Sequence, residues 1–237
     1  MKPKYLGNQR ALSRDITLDK ISRGETRKNL NKFDSKFYGL DFWNAYEFSF
    51  LLRGKPKIIV LEITIPSDSE FTIESKSMKL FLNSFFDKNY LKQTEVLSEL
   101  NKIISKTCNS KVKIVPKKDF QTFNKKNFIN KSGFLLYKGF RSICPVTSQP
   151  DWGNIYIYSS TEALNKSEIS EFLFGFREHG GFHENCIESI FFHIKENYLI
   201  KNLEICGRFL RRGGIDINPI RSTHKKLLFK NFREFNQ

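Results

Sequence analysis

Residues 44–65 have the sequence NAYEFSFLLRGKPKIIVLEITI, and this stretch decides the fold. Two apolar runs, residues 44–52 and 57–65, flank the link Arg53-Gly54-Lys55-Pro56. The second run is rich in β-branched residues, which favour strands, and a link that contains Gly and Pro suits a turn. The stretch therefore predicts a β-hairpin.

Helical spacing replaces the strand pattern after this hairpin. Two stripes have apolar residues three and four positions apart, which is typical of amphipathic helices. The stripes are Met78, Phe81, Leu82 and Phe85, and then Val96, Leu97, Leu100, Ile103 and Ile104. Residues 111–115 alternate again and predict a strand.

The second half of the chain repeats this order. Helices are expected from about Ser167, as its N-cap, and from near His183. Strands are predicted at residues 134–143, 154–158, 203–211 and 215–221, the last two joined through Gly213-Gly214. A duplicated unit of two strands, two helices and further strand predicts an α+β fold, in which an antiparallel sheet carries its helices on one face.

The composition limits the class of protein. The chain has 237 residues, 39% hydrophobic and including 24 Phe, which excludes an intrinsically disordered chain. Its formal net charge of +15 suits a surface for polyanions, but the lysines are spread over many short clusters, so a coding bias explains them as well. We find neither a run of about 20 apolar residues nor a secretory leader, and we expect a soluble, cytoplasmic protein with reduced cysteines.

The most informative stretch is residues 141–152, RSICPVTSQPDW. Cys144 stands where a strand ends, because Pro145 cannot continue the backbone ladder. Asp151 follows seven residues later and is able to fold back toward the thiol, where Trp152 would shield it. A nucleophilic thiol needs a lowered pKa or a partner that manages protons. From these residues alone, a structural loop explains the pattern equally well.

Three further stretches each have a functional and a structural interpretation. Glu184, after Gly180-Gly181 and His183, could accept N–H bonds from a purine-like ring or complement the dipole of a helix. The residues from Glu74 to Lys79 (ESKSMK) could meet a phosphate at a helix N-terminus or form a solvated helix start. Arg211-Arg212-Gly213-Gly214 could bind phosphate or form a hairpin turn.

Taken together and in this order, the four stretches resemble the NADPH-dependent 7-cyano-7-deazaguanine reductases, the nitrile reductases of queuosine biosynthesis. The motifs are IESKSMKLF at residues 73–81, CPVTSQPDW at 144–152, HENCIE at 183–188 and RRGGIDINP at 211–219. The resemblance covers residues 41–222 and is to the bimodular form, with two tandem tunnelling-fold (T-fold) modules in one chain.

The resemblance also divides the chain. We expect an N-terminal arm at residues 1–40 and a first T-fold module with the Glu-Ser-Lys-Ser motif at 41–116. A linker rich in Lys and Asn is expected at 117–132, and a second T-fold module with the Cys, Asp and His-Glu residues at 133–237. The chain is short for the bimodular form, and its first module shows no clear last strand.

The chemistry that the resemblance implies is a four-electron reduction of a nitrile to an aminomethyl group. Cys144 would attack the nitrile carbon of 7-cyano-7-deazaguanine (preQ0) to give a covalent thioimide, and Asp151 would supply the proton to nitrogen. Two NADPH molecules would then deliver two hydrides, which gives 7-aminomethyl-7-deazaguanine (preQ1). A thiolate suits addition to a nitrile, and a nearby acid avoids a bare nitrogen anion.

The resemblance also implies the binding residues and partners. The substrate would be held by Ile73, Glu74, Ser75, His183 and Glu184, and NADPH by Ser75, Lys76, Arg212 and Gly213. The family implies a homodimer, and we expect no metal, no membrane and no direct nucleic-acid partner. Two alternatives remain: a zinc-dependent T-fold hydrolase of the GTP cyclohydrolase kind, with His183, Cys186 and Cys144 as ligands, and a non-catalytic basic RNA-binding protein.

Overall fold

The computed structural model describes residues 16–28, 30, 36–123, 133–160 and 164–237. These residues divide into two compact units. The first holds Phe42–Asp119 and Arg211–Asp216, with the described residues before Arg27. The second holds Arg27–Asp41, Phe120–Leu210 and Ile217–Gln237, where these are described.

The elements of the first half follow the predicted order. They are β1 (Lys20–Ser22), α1 (Arg23–Arg27), β2 (Tyr38–Leu52), β3 (Lys55–Pro66), β4 (Phe71–Ile73), α2 (Ser75–Asn83), β5 (Asn89–Tyr90), α3 (Gln93–Cys108) and β6 (Lys113–Lys117). The hairpin between β2 and β3 turns at Arg53 and Gly54, both in the left-handed region with φ of 53° and 76°. The predicted hairpin, two helices and strand are therefore confirmed.

The first unit has an antiparallel sheet in the order β6-β3-β2, and its helices bury the two predicted stripes. Met78, Phe81 and Leu82 of α2 are buried, as are Val96, Leu100 and Ile104 of α3. On β2, Phe48 contacts Phe85 with ring centroids 5.6 Å apart. The apolar periodicity therefore identified the faces that form this core.

The elements of the second half are β7 (Gln121–Thr122), β8 (Phe134–Ile143), β9 (Pro150–Ser159), α4 (Lys166–Phe174), a 3-10 helix (Gly175–Glu178), α5 (His183–Asn197), β10 (Leu203–Phe209), β11 (Ile215–Ser222) and β12 (Phe232–Arg233). The order β11-β10-β9-β8 is antiparallel throughout. Ile155 and Ile157 of β9 and Ile205 of β10 pack in one core with α4 and α5. On β9, the intervening Tyr156 contacts Phe229 and Phe232 of the C-terminal segment instead.

Two details differ from the sequence predictions. Helix α4 begins two residues earlier than expected, because the side chain of Asn165, not Ser167, accepts the free N–H groups of Ser167 and Glu168. The polar residues before 40, expected to lack regular structure, contain β1 and α1, and β1 pairs with β4. The hydrogen bonds to β4 stabilise β1, and a hydrophobic pattern within residues 1–40 does not predict such a non-local pairing.

The two compact units and the predicted modules divide the chain at different places. Arg211–Asp216 belongs to the first unit and Arg27–Asp41 to the second, so β2 and β11 each have residues in both. The module boundaries at 40, 116 and 132 stay predictions, and the linker residues 124–132 lie outside the described residues. Within the described part of the chain, no helix is both long and apolar enough to cross a membrane.

Candidate active site

Cys144 lies directly after β8, at the start of a closed loop. Its N–H donates to the carbonyl of Gln149 at 2.9 Å, and its carbonyl accepts from the N–H of Ser148 at 3.0 Å. Ser148 has a φ of 55°, which lets the chain reverse before β9 begins at Pro150. Cys144 is 6% exposed, whereas Cys108, Cys186 and Cys206 are all at 0%. Cys144 is thus the least buried of the four cysteines.

Asp151 lies opposite Ser142 in the register of β8 and β9. Residues opposite each other in an antiparallel pair share a face of the sheet, and every second residue of a strand lies on the same face. Ser142, Asp151 and the position of Cys144, two residues after Ser142, therefore lie on one face. All three residues are buried.

Trp152 does not shield Asp151, contrary to the sequence prediction. Successive side chains of a strand point to opposite faces, and Trp152 is 39% exposed. Its ring lies between the guanidinium groups of Arg141 and Arg177, at 5.7 and 5.6 Å.

The chain before α5 adds a histidine to this face. The N–H of Ile143 donates to the carbonyl of His179 at 2.9 Å, and the N–H of Gly181 donates to the carbonyl of Ile143 at 3.0 Å. This short parallel bridge seats the start of α5 beside the end of β8. His183 opens the helix, and its Nε2 lies 3.7 Å from Oδ1 of Asp151. The structure therefore brings two predicted residues that are distant in sequence, Asp151 and His183, close together.

Glu184 is the second residue of α5 and is only 4% exposed. The N-cap position is Phe182, whose side chain accepts no hydrogen bond from the helix. A carboxylate in the first turn favours the helix dipole, but a solvated position would serve that purpose at a lower desolvation cost. The burial of Glu184 therefore favours the binding interpretation.

The pKa of the Cys186 thiol shows that a negative charge is disfavoured at this buried position of α5. Burial raises the pKa of its thiol to about 12, and the carboxylates of Asp151 and Glu184 also raise it, while Ser142 acts in the opposite direction. A thiol with this pKa is neutral near pH 7 and is a poor nucleophile and metal ligand. Within the described ranges, no group of three or more His, Cys, Asp or Glu residues is placed to hold a metal ion.

In the first unit, Glu74 closes the start of α2. Its Oε1 accepts from the N–H of Lys76 at 2.9 Å, and its Oε2 accepts from the N–H of Ser77 at 2.7 Å. Glu74 is the N-cap of the helix, and Ile73 before it is the buried last residue of β4. Ser75 and Lys76 form the first helical turn and are half-buried. The helix-start interpretation of this motif is confirmed, and the assigned binding roles stay predictions.

The diglycine turn, defined as residues 211–214, also lies in the first unit. The N–H of Arg212 donates to the carbonyl of Ile215 at 2.9 Å, and Gly213 and Gly214 have φ of 61° and 80°. A Cβ added at Gly213 would lie 3.2 Å from the side chain of Lys79. The glycines therefore permit both the turn and a close approach that a side chain would block.

A cavity of about 120 Å³ lies beside this turn, lined by Gly213, Gly214, Glu47, Lys79 and Asn83, among others. The Lys79 ammonium and the glycine backbone suit a phosphate group, whereas the carboxylate of Glu47, which lies against Gly214, adds a negative charge to the lining. In the sequence analysis, Lys79 received no individual role within the motif at residues 73–81, and Asn83 received none. The spacing of Lys76 and Lys79, three residues apart on a helix, was the signal that could have placed both on one side of α2.

Comparison with known proteins gives the family. Residues 12–115 match the family described as "Nitrile reductase, 7-cyano-7-deazaguanine-reductase N-term", and residues 150–227 match the family described as "QueF-like protein". The chain is 35% identical over 236 residues to an NADPH-dependent 7-cyano-7-deazaguanine reductase of Desulfotalea psychrophila, covering 86% of each chain. The chain belongs to this family.

Two other relatives carry the same name. The protein of Coxiella burnetii is 35% identical over 248 residues, which is 92% of this chain and 89% of the relative. The protein of Paraburkholderia phymatum is 32% identical over 232 residues, which is 85% of both chains. The expected family and the α+β class with two tandem T-fold modules are therefore confirmed.

The matched segments divide the predicted site. The first covers Glu74, Ser75 and Lys76, and the second covers Asp151, His183, Glu184 and the diglycine turn. Cys144 lies between the two segments. Its place in the site therefore depends on the geometry of the loop that closes on Cys144 and on the shared face with Asp151.

Proposed function

We propose that the protein reduces the nitrile of 7-cyano-7-deazaguanine to an aminomethyl group with NADPH, through a covalent thioimide on Cys144, as a step of queuosine biosynthesis. The observation that carries the mechanism is the pairing of Asp151 with Ser142, two residues before Cys144, with His183 Nε2 3.7 Å from the Asp151 carboxylate. The names of the relatives support the substrate and the reductant.

Cys144 is the best nucleophile among the four cysteines. Burial raises the pKa of both Cys186 and Cys206 to about 12, which keeps their thiols neutral. Cys108 is fully buried in helix α3 of the first unit. The Sγ of Cys144 would add to the nitrile carbon while a proton passes to the nitrogen, which gives the thioimide.

Asp151 is placed to deliver that proton. A carboxyl group that carries a proton donates it as the nitrogen gains electron density, and general acid catalysis of this kind contributes roughly 10²–10⁴-fold. His183 beside it would exchange protons with Asp151 and contact the substrate. Glu184 would accept hydrogen bonds from the N–H groups of the deazaguanine ring, since its carboxylate is buried and has only acceptor capacity when ionised.

The remaining steps require two hydrides, which NADPH would supply when bound: one to the thioimide carbon and a second, from another molecule, after the Cys144 thiolate has left. Nitrogen would gain one proton when the thioimide forms and one more with the second hydride. The nitrile thus gains two hydrides and two protons, which are four electrons and four hydrogens in total. Ser75, Lys76, Arg212 and Gly213 would hold the cofactor, because cations and glycine backbone suit its phosphates.

The decisive experiment is adduct formation without NADPH. Mixing the protein with 7-cyano-7-deazaguanine should add one substrate mass, and digestion should place it on Cys144. Cys144→Ala should form no adduct and give no turnover, whereas the matched control Cys186→Ala should retain both. Asp151→Asn should bind the substrate but form the adduct slowly. Turnover by Cys144→Ala, or an adduct on Cys186, would overturn this mechanism.

Several expectations accompany this proposal. We propose a homodimer in the cytoplasm that needs no metal and binds no nucleic acid directly. Light scattering after size-exclusion chromatography measures the mass in solution, which should be about twice that of one chain of 27.9 kDa. Loss of activity with a chelator and its return with zinc would instead support the zinc-dependent hydrolase. Tight, salt-dependent RNA binding would support the RNA-binding alternative.

A further inference from the structure

We infer that Tyr46, held by Asp216, is a positioning residue for the diglycine turn and thereby sets the affinity for NADPH. The inference rests on the proposed function, in which Arg212 and Gly213 of this turn hold the cofactor. All the residues concerned lie in the first unit.

The backbone of Tyr46 fixes the end of the turn. The N–H of Tyr46 donates to the carbonyl of Gly214 at 2.9 Å. Gly213 and Gly214 both have positive φ, and neither has a side chain that could pack against the surroundings of the turn. The bond to β2 therefore defines where the backbone of the two glycines lies.

The ring of Tyr46 supports the other end of the turn. The guanidinium carbon of Arg211 lies 5.1 Å from the ring centroid, within the range of a cation–π contact. Arg211 also pairs with Glu47 at 3.1 Å, but both of those side chains are largely exposed, and exposed ion pairs contribute little. The aromatic face is therefore the firmer of the two supports for Arg211, the neighbour of Arg212.

Asp216 holds the ring in place. The Tyr46 hydroxyl donates to Oδ2 of Asp216, and Nδ2 of Asn44 donates to Oδ1 of the same carboxylate at 2.7 Å. Asp216 and Asn44 are 1% and 0% exposed. A buried carboxylate with two donors is costly to disturb, because removing one donor leaves an acceptor without its hydrogen bond. This cluster explains why a buried acid follows the diglycine turn so closely in sequence.

The test separates the ring from the hydroxyl and uses a matched control. Tyr46→Leu removes the aromatic support but keeps the backbone bond to Gly214, and Tyr46→Phe removes only the bond to Asp216. The control is Tyr90→Phe, because the Tyr90 hydroxyl also donates to a carboxylate in the first unit, Glu99, at 2.6 Å, and Tyr90 pairs with Leu52, six residues along β2 from Tyr46.

We expect the Kd and KM for NADPH to rise about tenfold in Tyr46→Leu and about threefold in Tyr46→Phe, since a cation–π contact or a hydrogen bond is worth roughly 0.5–1.5 kcal/mol. The kcat, and the rate of Cys144 adduct formation without NADPH, should stay within about twofold of wild type. Tyr90→Phe should behave as wild type in every measurement.

The outcomes distinguish this inference from the proposed function. If the wild-type protein binds no NADPH, the proposed function fails. If wild type binds NADPH and both Tyr46 variants match Tyr90→Phe, only the positioning role fails. Equal losses in kcat, adduct formation and NADPH affinity would show general structural damage and would also contradict it. Tyr46→Phe keeps the test decisive if Tyr46→Leu does not fold.

Discussion

Helix α2 of the first unit and helix α5 of the second both have a glutamate at their start, and the two carboxylates are used differently. Both oxygens of Glu74 accept backbone N–H groups of its own helix, at 2.9 and 2.7 Å. Glu184 stands one position inside α5, behind an N-cap residue, Phe182, whose side chain makes no capping bond. The same residue type at a helix start thus serves as the cap in one unit but not in the other.

The surroundings of the two helix starts differ as well. Near Glu74 the neighbouring side chains are cationic, with Lys76 in the first turn and Lys79 beside Gly213. Glu184 lies near Asp151 and Cys186, and the pKa of that thiol is raised first by burial and then by the carboxylates of Asp151 and Glu184. The two helix starts therefore differ in charge: cationic side chains lie near Glu74, and a second carboxylate and a neutral thiol lie near Glu184.

The largest expected effect tests the second unit. Glu184→Ala should raise the Kd for 7-cyano-7-deazaguanine about 10²–10⁴-fold, because two charged hydrogen bonds at roughly 1.5–3 kcal/mol each would be lost. Isothermal titration calorimetry measures this directly. Glu178→Ala removes an exposed acid just before α5 and should leave the Kd unchanged. An unchanged Kd in Glu184→Ala would show that Glu184 does not bind the substrate and only complements the dipole of α5.

The cationic character of the first unit predicts a preference for NADPH over NADH. Arg212→Ala should lower the ratio of kcat/KM for the two cofactors by about 10-fold or more, since a charged hydrogen bond to the 2′-phosphate is worth roughly 1.5–3 kcal/mol. Lys111→Ala removes the same charge from an exposed site in the same unit and should not change the ratio. Equal use of both cofactors by the wild type would show that these cations do not contact that phosphate.

The burial of Cys186, together with the nearby carboxylates of Asp151 and Glu184, predicts a pH dependence of stability. A thiol whose pKa is raised in the folded state stabilises the protein fully below the unfolded pKa, and this contribution is lost as pH rises toward about 12. From roughly pH 9 upward, Cys186 should contribute a decrease in the free energy of unfolding of about 1.4 kcal/mol per pH unit.

Urea unfolding at pH 8, 9 and 10 measures this slope. Cys186→Ala should make the decline less steep, and Cys206→Ala should do the same because burial also raises the pKa of Cys206 to about 12. If the free energy of unfolding falls equally with pH in wild type and in Cys186→Ala, burial does not disfavour the Cys186 thiolate.

The smallest effect concerns the cap. Glu74→Ala should lower the free energy of unfolding by about 1 kcal/mol, the usual loss for a helix N-cap. Glu74→Gln retains a capping oxygen and should lose less stability, so it isolates any contact with the substrate. If Glu74→Gln keeps its stability but binds 7-cyano-7-deazaguanine more weakly, Glu74 has the predicted binding role in addition to its cap. If neither variant changes binding, the cap is its only role.

Some parts of the site were predictable from the sequence, and others were not. The end of β8 was predicted correctly, because Pro145 must interrupt the ladder and Cys144 must therefore be the last residue before the turn. The start of α5 at His183 was also correct, since two glycines precede an apolar stripe of helical period. The prediction that Trp152 shields Asp151 was wrong, because adjacent residues of a strand face opposite sides of the sheet. This was missed because the predicted strand began at Asn154, whereas β9 begins at Pro150.

The sequence by itself determined the order of strands and helices, their buried faces and the family, since alternation, helical period and short motifs are local properties of the chain. It also determined which residue types are available for nitrile chemistry. Only the tertiary structure decided that Ile143 bonds to both His179 and Gly181, that Asp151 opposes Ser142, and that Asp216 holds Tyr46 beneath Arg211. Those contacts join residues that are far apart in sequence, and they depend on strand register and loop closure, which local patterns do not specify.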